Sequence, residues 1–133
     1  MSQKMVQSNI NTGKNINQII DISKVVIEFI TYFYTNLLGN PNVLITSGAL
    51  RDFTTLKFKG VKYTGTELLQ ALNYIKTLIA PIGGYHSYEF IDCGSRRIDI
   101  IVNFKKDTNI FVQHFTLCFN KKWYIKNSMF III

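Results

Sequence analysis

Residues 109–133 read NIFVQHFTLCFNKKWYIKNSMFIII. Within them Phe111, Gln113, Phe115, Leu117 and Phe119 alternate with Val112, His114, Thr116 and Cys118, the two-residue period of a strand. Asn120-Lys121-Lys122 forms a polar turn, and a second run starts at Trp123. Strict alternation there puts Tyr124, Lys126, Ser128, Phe130 and Ile132 on one face. Trp123, Ile125, Asn127, Met129, Ile131 and Ile133 take the other. A hairpin apolar on both faces can build a core with one of them. The other is expected to meet another protein, because a sheet with one solvated face does not need it to be apolar.

Upstream of this hairpin the strand pattern continues. Arg97 to Lys105 sets Ile98, Ile100, Val102 and Phe104 against Arg97, Asp99, Ile101, Asn103 and Lys105. Asp107-Thr108-Asn109 turns it into the closing hairpin, and Gly94-Ser95 joins it to a strand over Tyr85–Cys93. Before these strands, Thr64-Gly65-Thr66-Glu67 has capping-box spacing. Leu68, Leu69, Leu72, Ile75 and Leu78 then follow at helical intervals until Pro81 and Gly83-Gly84. Residues 54–63, TTLKFKGVKY, read as a small hairpin or bent strand broken at Gly60, and a helical turn is expected around Ala49–Asp52.

A long helix is predicted from Asn15 to Leu38. Asn17, Asp21, Lys24, Glu28, Thr31 and Thr35 make one narrow polar stripe, and apolar residues occupy the rest of its circumference. Such a helix needs cover on several sides, as inside a curved sheet. Residues 1–14 are polar and aperiodic and read as a flexible leader, which leaves 15–133 as a single domain. Helices segregated from a run of antiparallel strands make an α+β fold.

The chain has 133 residues, of which 47% are hydrophobic and 14% aromatic, enough for one sizeable core and against a disordered chain. The formal charge of +7 is spread over turns and exposed strand positions, so it reads as solvation and an acidic partner before a nucleic-acid groove. Any RNA affinity expected of it is weak. Cys93 and Cys118 have no metal-ligand spacing, and without a recognisable signal peptide they read as free thiols. No metal or cofactor is expected. Asp21, Lys24 and Glu28 interrupt the best apolar run, so no membrane span is expected.

Five stretches, in register along the chain, resemble the nuclear transport factor 2 family. They are FITYFYTNL (29–37), LKFKGVKYTG (56–65), HSYEFIDC (86–93), FVQHF (111–115) and WYIKNSMF (123–130). In the second, Phe58 stands where the family carries a tryptophan, while Gly60 and Gly65 keep its glycine spacing. The resemblance implies a cone-shaped fold with helices packed in a strongly bent antiparallel sheet. Its function is a separate question, since one fold hosts many.

Three readings follow from the resemblance. The first in rank is a non-catalytic nucleocytoplasmic transport factor, similar to the small subunit that pairs sheet to sheet with the messenger-RNA export receptor. The expected interface is Arg97, Asp99, Ile101, Asn103, Ile125, Asn127, Met129 and Ile131. Asp99 matches a position that is apolar in homodimeric relatives, so a different partner carrying a base is expected to answer it. Phenylalanine-glycine repeats of nucleoporins are the second expected partner, with the nucleus, the pore and the cytoplasm as location.

The second reading is a homodimeric carrier of Ran-GDP. Lys59 and Asp107 match positions that face Ran, but Lys59 reverses the family's carboxylate there, which replaces attraction by repulsion. The third is an isomerase or dehydratase working inside the cone. His114 reads as a hydrogen-bonded structural histidine before a general base, and Asp92-Cys93 as a turn with a buried thiol. Tyr32, Tyr34, Tyr74, Tyr85 and Tyr88 read as core and rim packing. No enzyme is expected.

Overall fold

The computed structural model describes residues 21–133. The leader at 1–14 and the start of the long helix at 15–20 lie outside the described residues. Helix α1 runs from Ile22 to Leu38, and the Asp21 side chain accepts a hydrogen bond from the Lys24 amide at its N-terminus. An acid bonded to a free amide at a helix start satisfies one of the four unpaired donors there. Ile22, Val26, Ile30, Phe33, Tyr34 and Leu37 are buried, whereas Tyr32 and Leu38 are exposed. The helix is therefore embedded on one broad side rather than covered all round.

The expected turn at Ala49–Asp52 is absent. A short helix α2 (Asn42–Thr46) comes earlier, and strand β1 begins at Leu50 (Leu50–Phe58). Leu50 at a buried sheet position outweighs the weak local signal for a turn. Lys59-Gly60 then forms a tight turn with both φ angles positive, leading into β2 (Val61–Tyr63). The capping box forms as expected around Thr64 and Glu67, first as a 3-10 turn (Gly65–Glu67) and then as α3 (Leu68–Ile79). A second 3-10 turn holds Pro81, and Gly83 follows in the left-handed region.

Strands β3 (Ser87–Gly94), β4 (Arg97–Lys106), β5 (Asn109–Asn120) and β6 (Lys122–Ile132) form the expected antiparallel meander. The six strands make one sheet in the order β2-β1-β6-β5-β4-β3. The β1–β6 pair is parallel, so the sheet is mixed where an all-antiparallel one was expected. A chain that leaves β1 for β2 and α3 before returning can approach β6 in that sense. The helices pack on the inner face, where Phe33, Phe104, Phe115, Phe130 and Leu72 are fully buried. Phe115 lies edge-on to Phe29 at 5.1 Å and to Phe33 at 4.8 Å, which ties α1 to the middle of the sheet.

One departure from strict alternation matters for the site. Leu117 pairs with Ile125 while Thr116 pairs with Asn127, so Lys126 is an extra residue in β6. The bulge flips the face of everything before it. Ile125, expected on the outer interface, is 1% exposed and sits in the core with Ser128 and Phe130. Buried Thr54 on β1 donates its hydroxyl to the Ile125 carbonyl and accepts from the Arg51 amide, which satisfies backbone where the β1–β6 register breaks between Leu50 and Thr55.

Candidate protein-interaction surface

The outer face of the sheet is built from side chains opposite one another on five strands. Register places Glu89, Ile101, His114, Met129 and Lys57 in one row, from β3 across β4, β5 and β6 to β1. A neighbouring row holds Ile91, Asp99, Thr116, Asn127 and Thr55, and the row on the other side holds Ser87, Asn103, Val112 and Ile131. Ile91, Ile101, Met129 and Ile131 are 53%, 41%, 39% and 40% exposed, four large apolar side chains on one surface. Isolated exposed apolar residues are ordinary; four on one sheet face make it a candidate contact surface.

Seven of the eight interface positions expected from the sequence face this way; Ile125 does not, for the reason given above. Asp99 is answered within its own chain. The Thr116 hydroxyl donates to its Oδ1 at 3.0 Å, and the Cys93 thiol donates to its Oδ2 at 3.3 Å. Arg97 lies 3.5 Å away and His114 Nε2 3.8 Å away. Burial alone would raise the Asp99 pKa, but the two hydrogen bonds and the Arg97 and His114 charges together hold it below the ordinary carboxylate value. Burial and the Asp99 carboxylate in turn push the Cys93 thiol up. Cys93 is exposed on β3, not buried in a turn.

Lys59 and Asp107, the positions that would face Ran, both sit in tight turns with positive φ. Register brings these two turns to the same end of the sheet, where β6 finishes. Beside the first is a groove of about 400 Å³ formed by Lys57 to Gly60 and Met129 to Ile132, continuous with the outer face.

The inside of the cone is different in kind. Buried Tyr34 donates its hydroxyl to Gln113, whose amide donates to the Ser128 hydroxyl at 3.2 Å; Ser128 donates to the His114 carbonyl at 2.7 Å. Burial pushes the Tyr34 phenol well up, so it stays neutral. A small cavity of about 250 Å³ beside Tyr34 is lined by Ile30, Leu38, Ile79, Tyr85 and Phe104 among others. Among the described residues, no three His, Cys, Asp or Glu side chains are grouped so as to hold a metal. No described helix is long and apolar enough to cross a membrane.

Solved structures share this fold. One is a designed protein of the nuclear transport factor 2 fold, NT-9, with 12% identity, a TM-score of 0.53 and 82% of each chain covered. The fold is nuclear transport factor 2-like. A chain in the complex of the yeast deubiquitinase Ubp3 with its cofactor Bre5 matches with a TM-score of 0.61 and 16% identity, over 84% of this chain and 96% of that one. A Pectobacterium atrosepticum protein of unknown function, from the DUF3225 family, matches with a TM-score of 0.57 and 14% identity, over 81% and 88%. No family model matches the sequence, and no curated protein does. At these identities the likeness to other nuclear transport factor 2-like chains extends to the fold alone.

The interface expected from the sequence did not include Ile91, Glu89, His114 or Lys57, which the register also puts on the outer face. The signal for two of them was present. The Gly94-Ser95 turn, read as a hairpin turn, already brings Glu89 and Ile91 opposite β4.

Proposed function

We propose that this chain is a non-catalytic transport factor that works by docking its outer sheet face on another domain of the same fold. The observation that carries the reading is the exposed group Ile91, Ile101, Met129 and Ile131 on a face where Asp99 and Thr116, near its centre, are already hydrogen-bonded to each other. The centre of the face can therefore lose water without leaving the Asp99 carboxylate unpaired. The presence of a chain of this fold in the Ubp3–Bre5 complex supports association as the mode of action. The interior supports it too: the polar side chains that bond to one another there are Tyr34, Gln113 and Ser128, and a phenol held neutral does not serve as a base at physiological pH.

The proposed setting is nucleocytoplasmic transport, in the manner of the small subunit of the messenger-RNA export receptor. Phenylalanine-glycine repeats would be the further partner, and the chain would move between nucleus, pore and cytoplasm. Asp99 was the reason to prefer a different partner over a second copy; with Arg97 beside it, that reason lapses. Ran-GDP ranks lower because Lys59 carries the wrong charge for a base-rich contact. Weak RNA binding through the +7 charge would fall steeply with salt.

The test is Met129→Asp, a change at an exposed position that leaves the core alone. Loss of association in sedimentation or pull-down, with an unchanged melting curve, supports the reading. Association that survives this change would place the contact elsewhere. Nuclear-pore function is tested separately by retention on immobilised phenylalanine-glycine repeats.

A further inference from the structure

Strand β2 (Val61–Tyr63) ends the sheet, and among the described residues no strand pairs with its other side. Its hairpin with β1 turns on two residues, Lys59 and Gly60, so Phe58 and Val61 flank the turn as a hydrogen-bonded pair. Lys62, the next residue in register, therefore points its own N–H and C=O at the free edge. Its side chain lies on the outer face opposite Lys57, while Val61 and Tyr63 turn inward with buried Phe58 and Leu56. Inward of that edge an open groove of about 400 Å³ separates β2 from α3, lined by Phe58, Val61, Tyr63, Tyr74 and Leu78 among others. Tyr74 stacks on Phe58 at 5.8 Å and meets the Tyr63 ring edge-on at 6.2 Å, yet Tyr74 remains 40% and Val61 51% exposed. Lys59 stands at the rim. Among the described residues, Lys57, Lys59 and Lys62 have no carboxylate within ion-pair distance; the ion pairs there both involve Asp99. The next acid along the chain, Glu67, accepts from the Thr64 amide.

We propose that β2 and this groove receive an extended peptide segment of a partner protein, added antiparallel as a further strand, with an acidic residue between two large apolar ones. The residue opposite Lys62 exchanges both backbone hydrogen bonds with it and shares its side of the sheet. There a carboxylate extends the row of Lys57 and Lys62, and opposite charges on neighbouring strands attract where these two repel. The residues before and after it stand opposite Val61 and Tyr63, so their side chains drop into the groove against Tyr74 and Leu78. A second copy does not suit this edge, because twofold pairing would set Lys62 against Lys62. The site lies apart from the outer-face docking proposed above, and neither depends on the other.

NMR titration of the full chain with a synthetic peptide carrying leucine, glutamate and leucine in succession tests it. The expected result is saturable binding that shifts the Val61 and Lys62 amides and the Tyr74 ring and leaves Met129 unmoved. Lys62→Glu should weaken this peptide roughly fivefold and strengthen one with lysine in place of the glutamate. Lys62 is exposed, and a melting curve confirms that the variant folds. N-methylation of the peptide at the glutamate removes the donor to Lys62 and should weaken binding about tenfold or more. No saturation at millimolar peptide overturns the proposal, and an N-methylated peptide of full affinity overturns strand addition. Shifts confined to the outer face and lost with Met129→Asp would move the peptide to that face and overturn this site. Self-association of the chain that the peptide displaces would give the edge to a second copy and overturn it as well.

Discussion

Tyr34 Oη donates a 2.7 Å hydrogen bond to Gln113 Oε1, joining α1 to β5 across 79 residues of chain. Both side chains are buried, and Gln113 has its amide committed to Ser128. Tyr34→Phe keeps the ring against Phe104 but leaves a buried carbonyl oxygen without its donor. The expected loss is about 1–3 kcal/mol of stability. A Tyr34→Phe, Gln113→Leu double variant should lose less than the sum of the two single changes, since each removes the other's partner. Urea denaturation of the four proteins measures it; additive losses would mean that the bond contributes nothing.

Ile125 and Ile131 lie on the same strand and on opposite sides of the Lys126 bulge. Ile125→Ala should cost about 2–5 kcal/mol, because it opens a cavity in the core. Ile131→Ala should stay within about 0.5 kcal/mol in the monomer. Equal effects would contradict the register across the bulge.

Asp99 makes the fold sensitive to acid. Its folded pKa lies below the ordinary 3.8, so in that range the unfolded chain binds more protons and stability rises with pH. The contribution is fully present above the unfolded value and is lost as pH falls through the folded one. Asp99→Asn should therefore flatten the acid side of a stability profile and change the neutral plateau less. Asp21, lowered by the Ser23 hydroxyl and the Lys24 amide, acts in the same direction and remains in that variant as a comparison. An acid limb unchanged by Asp99→Asn would mean that its four neighbours do not bias it.

Asp21 also starts α1. Asp21→Ala should cost about 1 kcal/mol through the lost cap, whereas Asp21→Asn or Asp21→Ser should cost only a small part of that. Thermal melts of the three variants give the order. Should alanine match asparagine, the cap does not limit the stability of α1.

The fold was legible where local signals agree with one another. In β4 the inward set Ile98, Ile100, Val102 and Phe104 lies as its alternation predicts, and the Thr64–Glu67 box opens a helix where its spacing predicts one. Reading failed where a single residue breaks the period. Lys126 looks like any exposed strand residue, and only its pairing with neither Thr116 nor Leu117 reveals that Ile125 belongs inside. At Leu50, burial beside β6 overrides a segment whose own preferences are indefinite.

Sequence alone determined most of the helices and strands, where most turns fall, and that one sheet face would carry apolar residues beyond the needs of a core. Those properties follow from side-chain chemistry repeated at short intervals. Tertiary structure decided which charges meet. Asp99 gathers Cys93, Arg97, Thr116 and His114 from three strands, and Glu89 and Lys57 come to opposite ends of one row. Such relations depend on register between strands far apart in the chain. A one-residue bulge changes that register while leaving the composition of every segment the same.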